Sequence, residues 1–577
     1  MTPRSFALAL AMALCALIGF SASASAAPAD LDSSFAGDGI LNQRFTASDW
    51  GDASNVLAQP DGKILIAGRA AGAGGDDQMI ARFNADGTLD TSFGTGGFTL
   101  TDYATSDDDR TYDMALMDDG RIVTVGAADW DSSDDSTVTR YLANGALDTS
   151  FSGDGKLRFD ADISGADVDD AEKVAVSSNG KITVAGSAFI STDFDVYVRR
   201  LNVDGNPDVT FNGGTTVFRD LSQDVTHSND DVGGLVVRAD GSVVVAATYS
   251  SGASTNNAAL IGIDPTGAAD TLFGTSLTGQ RLAVTGVSSA GASDLVQQPD
   301  GQLALLYSDY SGTLGAAGIV RWNSDASSVD SSFGSGGHLG IAPADTGLVP
   351  YSFALLGDGS FLLGGYSYTA SPGRNPFFAK ATAGGALDPA FGSGGVRVVE
   401  TAPDTDGVSD VAVQGDGKFL GAGYSNDVLG HGYSAQVIRM NGNYVAPPPP
   451  PPASVPLTVK LKSPSKSTLK ASKLKSIAGT AEGTGLVKVQ LAIQKVDSKL
   501  LKKSKRCLFV TGSSGKTKKY KAVKKKCAPT KYLTAKGTTS WSYKVKLKPG
   551  TYKIFLVGVG DGGRTGKSFA KTIHLNK

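Results

Sequence analysis

Carboxylates crowd this sequence at particular places. Asp52, Asp107-Asp108-Asp109, Asp169-Asp170, Asp230-Asp231 and Asp404 with Asp406 stand just before or at the start of short apolar runs. Asp76-Asp77, Asp129, Asp131, Asp134 and Asp135 fall between other runs. Grouped carboxylates can coordinate calcium, which takes about six to eight oxygen ligands. They can act as acid and base on a glycosidic bond, or simply solvate a face. No window has the EF-hand spacing. Asp52, Asp109, Asp170, Asp231 and Asp406 are the candidate ligand-binding residues, one drawn from each acidic entering loop. No cofactor is expected, apart from a calcium ion that such loops could hold. Trp50, Tyr103, Trp130, Tyr249, Tyr366, Tyr368 and Tyr424 lie near the same loops and offer flat faces on which a sugar could stack.

The search for catalytic motifs is mostly negative. His227, His338, His431 and His574 are far apart, with no His-Glu-x-x-His and no paired metal spacing. There is no Gly-x-Ser-x-Gly elbow. Gly512-Ser513-Ser514-Gly515-Lys516-Thr517 is too short for a phosphate loop, and the stretch from Gly560 to Ser568 is one residue too long. Gly558 to Gly563 fits Gly-x-Gly-x-x-Gly, yet it lies between two strand-like runs and reads as a hairpin turn. The residues therefore favour binding over catalysis and name no catalytic group.

These carboxylates are positioned by a repeat. A Phe recurs at 35, 93, 151, 211, 273, 333 and 391, with gaps of 58, 58, 60, 62, 60 and 58 residues. An Asp precedes each by three: Asp32, Asp90, Asp148, Asp208, Asp270, Asp330 and Asp388. A fixed period of this size marks a repeat architecture. Each unit also holds a hairpin signal, at Asp61-Gly62, Asp119-Gly120, Asn179-Gly180, Asp240-Gly241, Asp300-Gly301, Asp358-Gly359 and Asp416-Gly417. There Gly takes positive φ without a steric penalty. Four strands per unit are predicted. The second strands, such as Ile122-Val123-Thr124-Val125, are apolar on both faces, so both faces must be covered. That is the condition of a β-propeller blade. The Asp before each Phe suits an Asx-turn, and the Phe a plug between blades. The first Asp-x-x-Phe has no hairpin before it, and the last hairpin has no Asp-x-x-Phe after it. The two partial ends make one whole unit, so the strand near Ile40 is expected to complete the seventh blade beside 434–440.

The pattern Gln-Pro-Asp-Gly-Lys-Ile, followed by Arg-x-x-x-Asp-Gly-x-Leu-Asp-x-Ser-Phe-Gly, resembles the secreted bacterial delta-60 repeats. The resemblance covers about residues 31–442 and implies a β-propeller of unknown function, with no catalytic residues to carry over. Two places depart from it: Leu272 replaces the usual Ser, and Ala326 the Gly of the turn.

Composition supplies the rest. A chain of 577 residues exceeds one ordinary core. Residues 1–26 read as a secretory signal, with Arg4, an apolar run and Ala24-Ser25-Ala26. No later run is long and apolar enough to span a membrane. Residues 27–445 form the predicted seven-bladed propeller, 446–455 a proline-rich polyproline II linker, and 456–577 a separate basic domain. The net charge of -4 conceals a split: from Ser454 onward, 30 Lys and Arg face three acidic residues. The resulting +27, with Lys502-Lys503 and Lys524-Lys525-Lys526 grouped, points to an acidic polymer as partner, either an anionic cell-envelope polymer or nucleic acid outside the cell, with docking onto the chain's own acidic propeller as a third option. Strand-like runs and Leu547-Lys548-Pro549-Gly550-Thr551-Tyr552 resemble a bacterial immunoglobulin-like sandwich with its tyrosine corner. Cys507 and Cys527 are expected to form a disulfide, as in exported proteins, worth roughly 3 kcal/mol on the chain-entropy account. The expectation is an all-β, secreted or cell-surface monomer that binds carbohydrate or another partner. The competing expectation is an extracellular polysaccharide hydrolase or lyase.

Overall fold

The computed structural model describes residues 27–577, except for 47–49, 73, 104–107, 131–132, 162–167, 191–192, 222–229, 251–254, 275–279, 283, 285–286, 313–314, 344–345, 370–372, 402–404, 427–431, 443–457, 483–485, 498–505, 522–528, 530–531, 538–539 and 561–568. The signal segment, the proline linker and the grouped lysines Lys502, Lys503, Lys524, Lys525 and Lys526 lie outside the described residues. The chain is all-β and divides into two compact units, Met1–Pro449 and Pro450–Lys577. Among the described residues no helix is long and apolar enough to cross a membrane.

The first unit holds seven four-stranded antiparallel sheets, an arrangement consistent with propeller blades. In chain order they span 51–101, 109–159, 169–219, 230–282, 290–341, 347–398 and 406–440. The seventh takes its fourth strand, Ile40–Gln43, from the start of the chain, with Ile40 opposite Ile438 and Gln43 opposite Ala435. Alternation along the second strands explains why they are apolar throughout. In Ile64–Ala71, Leu65 and Ala67 pack with Met114, Ile122 and Tyr141 of the second sheet. Ile64 and Ile66 pack instead with Leu420, Ala422, Ala435 and Val437 of the seventh. Successive side chains of a strand point to opposite faces, so one strand serves two neighbours, and the seventh sheet shares a core with the first.

The hairpins turn as their residues predict. Gly62 holds φ +86° and donates its N–H to the Gln59 carbonyl at 3.0 Å. The Asp-x-x-Phe turns join the sheets. Asp148 accepts the Ser150 N–H at 3.1 Å and its hydroxyl at 2.6 Å. Its other oxygen accepts from Arg140 Nε at 2.8 Å. Arg140 lies 4.8 Å over the Phe151 ring and donates to the Val203 carbonyl of the third sheet. The same set recurs as Arg82–Asp90–Phe93, Arg200–Asp208–Phe211, Arg321–Asp330–Phe333 and Arg439–Asp32–Phe35. All seven Phe rings are at most 1% exposed, and burying each stabilises by about 2–3 kcal/mol.

At the two departures from the repeat the turns survive. Leu272 is exposed, while Asp270 still accepts its N–H at 3.0 Å. Ala326 keeps the turn by adopting φ +54°, a region that L-residues pay to enter.

In the second unit a three-stranded sheet of Thr458–Ser463, Ser476–Glu482 and Ser540–Lys544 faces a larger sheet built on Leu486–Lys495, Gly550–Gly560 and Phe569–Asn576. Val459, Ile477, Trp541, Leu491, Ile554 and Ile573 form their common core. Tyr552 donates its hydroxyl to the Lys548 carbonyl at 3.0 Å. Gly512 to Gly515 is a hairpin turn between Arg506–Val510 and Thr517–Lys521, which settles one phosphate-loop lookalike. Cys507 is buried in that hairpin, and Cys527, with the expected bridge, lies outside the described residues.

Candidate functional site

The first strands of all seven sheets share one irregularity. Each carries a β-bulge, at Ser54, Tyr112, Glu172, Gly233, Ser293, Tyr351 and Ser409. A bulge inserts one residue and re-aims its neighbours. Here it brings residues of all seven strands to one narrow cavity of about 110 Å³, lined among others by Asn55, Asp113, Lys173, Asp294, Ser352 and Asp410.

The carboxylates in this channel tie sheets together. Asp113 accepts the Val174 N–H of the third sheet at 2.8 Å, Asp294 the Phe353 N–H of the sixth at 3.1 Å, and Asp410 the Val56 N–H of the first at 2.8 Å. Each also accepts the N–H of its own successor. Glu172 accepts the Val232 N–H of the fourth sheet at 3.0 Å. Burial pushes Asp113 up to about 6, Asp410 to about 7 and Glu172 to about 8. Burial opposes the charge of Lys173, but Asp294, Asp113 and Asp410 around it outweigh that and raise it. None of these residues was singled out from the sequence. A signal existed for Asp113, Lys173, Asp294 and Asp410, since each stands six residues before the Asp or Asn of a hairpin turn.

The channel widens into a cavity of about 770 Å³ with two unlike sides. On one side charges are paired. Arg69 reaches Asp52 at 3.1 Å and Asp76 at 3.7 Å, and Arg110 reaches Asp134 at 3.8 Å. Burial and the charge of Asp134 push Asp170 up to about 6, against the pull of Arg110 and a hydrogen bond from Tyr112. The other side is aromatic. Tyr351 and Tyr366 lie 5.6 Å apart, Tyr424 and Tyr433 5.7 Å, and Trp50 and Tyr433 6.2 Å. Arg374 covers Tyr366 at 4.4 Å and Arg69 covers Trp50 at 4.2 Å. Another cavity, of about 570 Å³ between the fifth and sixth sheets, is lined by Ile341, Pro343, Leu348, Leu387 and Val396 with Thr346, Ser393 and Arg397.

The five candidate aspartates separate into two registers. Asp52, Asp170 and Asp231 occupy the second position of their strands; Asp52 and Asp170 are half-buried and Asp231 exposed. Asp109 and Asp406 occupy the first position and are fully buried, so the structure removes them from the mouth. They cap backbone instead: Asp109 accepts the Tyr103 N–H at 2.6 Å, and Asp406 the Asn426 N–H at 2.9 Å. A shift of one residue turns a strand side chain to the opposite face. Of the aromatics, Trp50, Tyr366, Tyr368 and Tyr424 gather on the aromatic side, whereas Tyr103 donates to or accepts from Thr139 between sheets. Asp107, Asp404, His227, His431 and the side chain of Trp130 lie outside the described residues. Two groups have the composition of a metal site, Asp77 with Asp102 and Asp109, and Asp195 with Asp220 and Asp230.

A family profile described as a β-propeller domain of unknown function (DUF5122) matches residues 59–93, 118–151 and 177–211, which lie in the first three repeats. No curated protein matches the chain. Among solved structures it is similar to polysaccharide lyase Uly1, at 12% identity and TM-score 0.39 over 68% of this chain and 90% of that one. It is also similar to a PL25 ulvan lyase bound to a sulfated disaccharide unit, at 12% identity and TM-score 0.37 over 65% of this chain and 91% of that one. For the Hadza microbial sialidase Hz136 the values are 12% and 0.36 over 63% and 73%. Likeness at this level says nothing about substrate.

Proposed function

We propose that the first unit is a seven-bladed β-propeller of the delta-60 repeat type, exported from the cell, that binds carbohydrate in its mouth without turning it over. The seven bulged strands meeting at one cavity support the ring. The observation that carries the binding reading is the mixed mouth, where tyrosine and tryptophan rings adjoin paired carboxylates and arginines. Aromatic faces suit the apolar faces of sugar rings, and the charged pairs can accept from and donate to hydroxyls. Most of the mouth carboxylates have an arginine partner, which suits recognition better than proton transfer. Glycan-array binding by the mature protein tests this. Tyr366→Ala and Tyr424→Ala should each weaken the strongest hit at least tenfold with the fold unchanged. Absence of any glycan hit would overturn the reading.

One feature favours the enzymatic alternative, a hydrolase or lyase. Asp170, held near 6 beside Tyr112, has the character of a general acid. Turnover of a polysaccharide that disappears in Asp170→Asn would make that reading the correct one.

For the second unit we propose an immunoglobulin-like module, closed by a Cys507–Cys527 bridge, that attaches the protein to anionic envelope polymer. Exposed Lys516, Lys518 and Lys519 belong to its basic surface. Attachment should weaken steeply as salt rises; binding indifferent to salt would remove the electrostatic tether.

A further inference from the structure

The three-aspartate group at the seam of the first and second sheets is assembled from separate segments. Asp77 lies in the third strand of the first sheet, Asp102 directly follows its fourth strand, and Asp109 opens the second sheet. One oxygen from each lies within 4.8 Å of the other two. Asp109 is 0% exposed. Its Oδ2 accepts the Tyr103 N–H, while its Oδ1 is buried with no hydrogen-bond partner. A buried carboxylate oxygen without a donor or a cation is costly.

The repeat places carboxylates at the same three positions elsewhere. In the second sheet the corresponding residues are Asp135, Asp160 and Asp169. There Arg158 reaches in, its Nη1 2.6 Å from Asp135 Oδ2. The position that corresponds to Arg158 in the first sheet is Leu100. One copy thus carries its own guanidinium, and the other has the carboxylates without it. Lys156 stands near the first copy, but its Nζ donates to the Asp102 backbone carbonyl at 2.8 Å and lies 5.1 Å from the centre of the Tyr103 ring. In the third sheet Asp195, Asp220 and Asp230 come within 4.8 Å of one another again, with Phe218 in place of the arginine.

We propose that Asp77, Asp102 and Asp109 bind a calcium ion, which takes the place at this seam that Arg158 fills at the next. The ligand set is all carboxylate oxygen, which selects a hard cation. Calcium accepts irregular sets of oxygen ligands, whereas magnesium demands near-ideal octahedral geometry, so three carboxylates gathered from separate segments suit the larger ion. The ion would fasten the edge of one sheet to the start of the next, and this role is independent of what the mouth binds.

Calorimetric titration of the chelator-stripped, full mature chain with calcium chloride tests the proposal, alongside melting curves with calcium or magnesium. Saturable calcium binding and a raised Tm that magnesium does not reproduce are expected. Asp102 is exposed, so Asp102→Asn should fold normally and weaken binding at this site at least tenfold. Leu100→Arg, which supplies the guanidinium of the second copy, should remove that binding, and Asp135→Asn should leave it unchanged. No calcium heat or Tm shift at millimolar calcium would overturn the proposal. So would calcium binding that Asp102→Asn and Leu100→Arg both leave intact.

Discussion

The turn aspartates at the sheet seams and the carboxyl groups of the channel are the same functional group in opposite electrostatic settings. At six of the seven seams the carboxylate has an arginine or lysine beside it and a serine or threonine hydroxyl or backbone N–H on its second oxygen. Burial raises Asp148, but the Ser150 hydrogen bonds and Arg140 outweigh it and hold it at about 2. For Asp330 the Ser332 hydroxyl, with Arg321, does the same. In the channel one lysine serves four carboxyl groups, and burial prevails, lifting Asp113, Asp410 and Glu172 to between about 6 and 8. Both sets join neighbouring sheets. The seams use ionised carboxylates and the channel uses groups poised to hold protons, so one region is fastened by charge and the other by hydrogen bonding.

The largest effect should come from breaking a seam. Arg140 is 1% exposed, and Arg140→Met would leave Asp148 only the more distant Arg121 guanidinium, at 3.3 Å, at a cost of about 3 kcal/mol. Urea unfolding measures it, and a loss below about 1 kcal/mol would show that the ion pair adds little to the phenylalanine plug.

The next effect concerns pH. Seam carboxylates with lowered values contribute stability that is complete above about pH 4 and disappears as pH falls toward 2. Channel carboxyls with raised values act in the other direction. Between about pH 4 and 8 the folded chain retains protons that the unfolded chain has released, so stability declines as pH rises. Maximum Tm is expected between about pH 4 and 6. Asp410→Asn should flatten the alkaline side, and an unchanged slope would contradict the channel assignment.

The smallest effect is at a single turn. Ala326→Gly relieves the positive φ and should gain about 1 kcal/mol. A lower Tm would mean that the Ala326 side chain, packed beside Trp322 and Phe273, matters more than the backbone strain.

Much of this was legible in the chain itself. Asp-Gly hairpins, Asx-turns and the plug phenylalanines depend on a few consecutive residues, because positive φ and local side-chain hydrogen bonds are settled within a turn. The pairing of Ile40–Gln43 with Tyr433–Met440 could be inferred because the two partial repeats complement each other. The site was less legible. Whether an aspartate faces the mouth or the seam depends on a shift of one residue, and Asp108, Asp109 and Arg110 are indistinguishable in that respect until the bulge fixes the register. The meeting of Asp113, Lys173, Asp294 and Asp410, and of Asp77 with Asp102 and Asp109, required the sheets to be packed. The sequence determined the repeat and its turns, since those interactions are local. The tertiary structure decided which carboxylates share a dielectric environment and a cation, since that depends on distances between residues far apart in the chain.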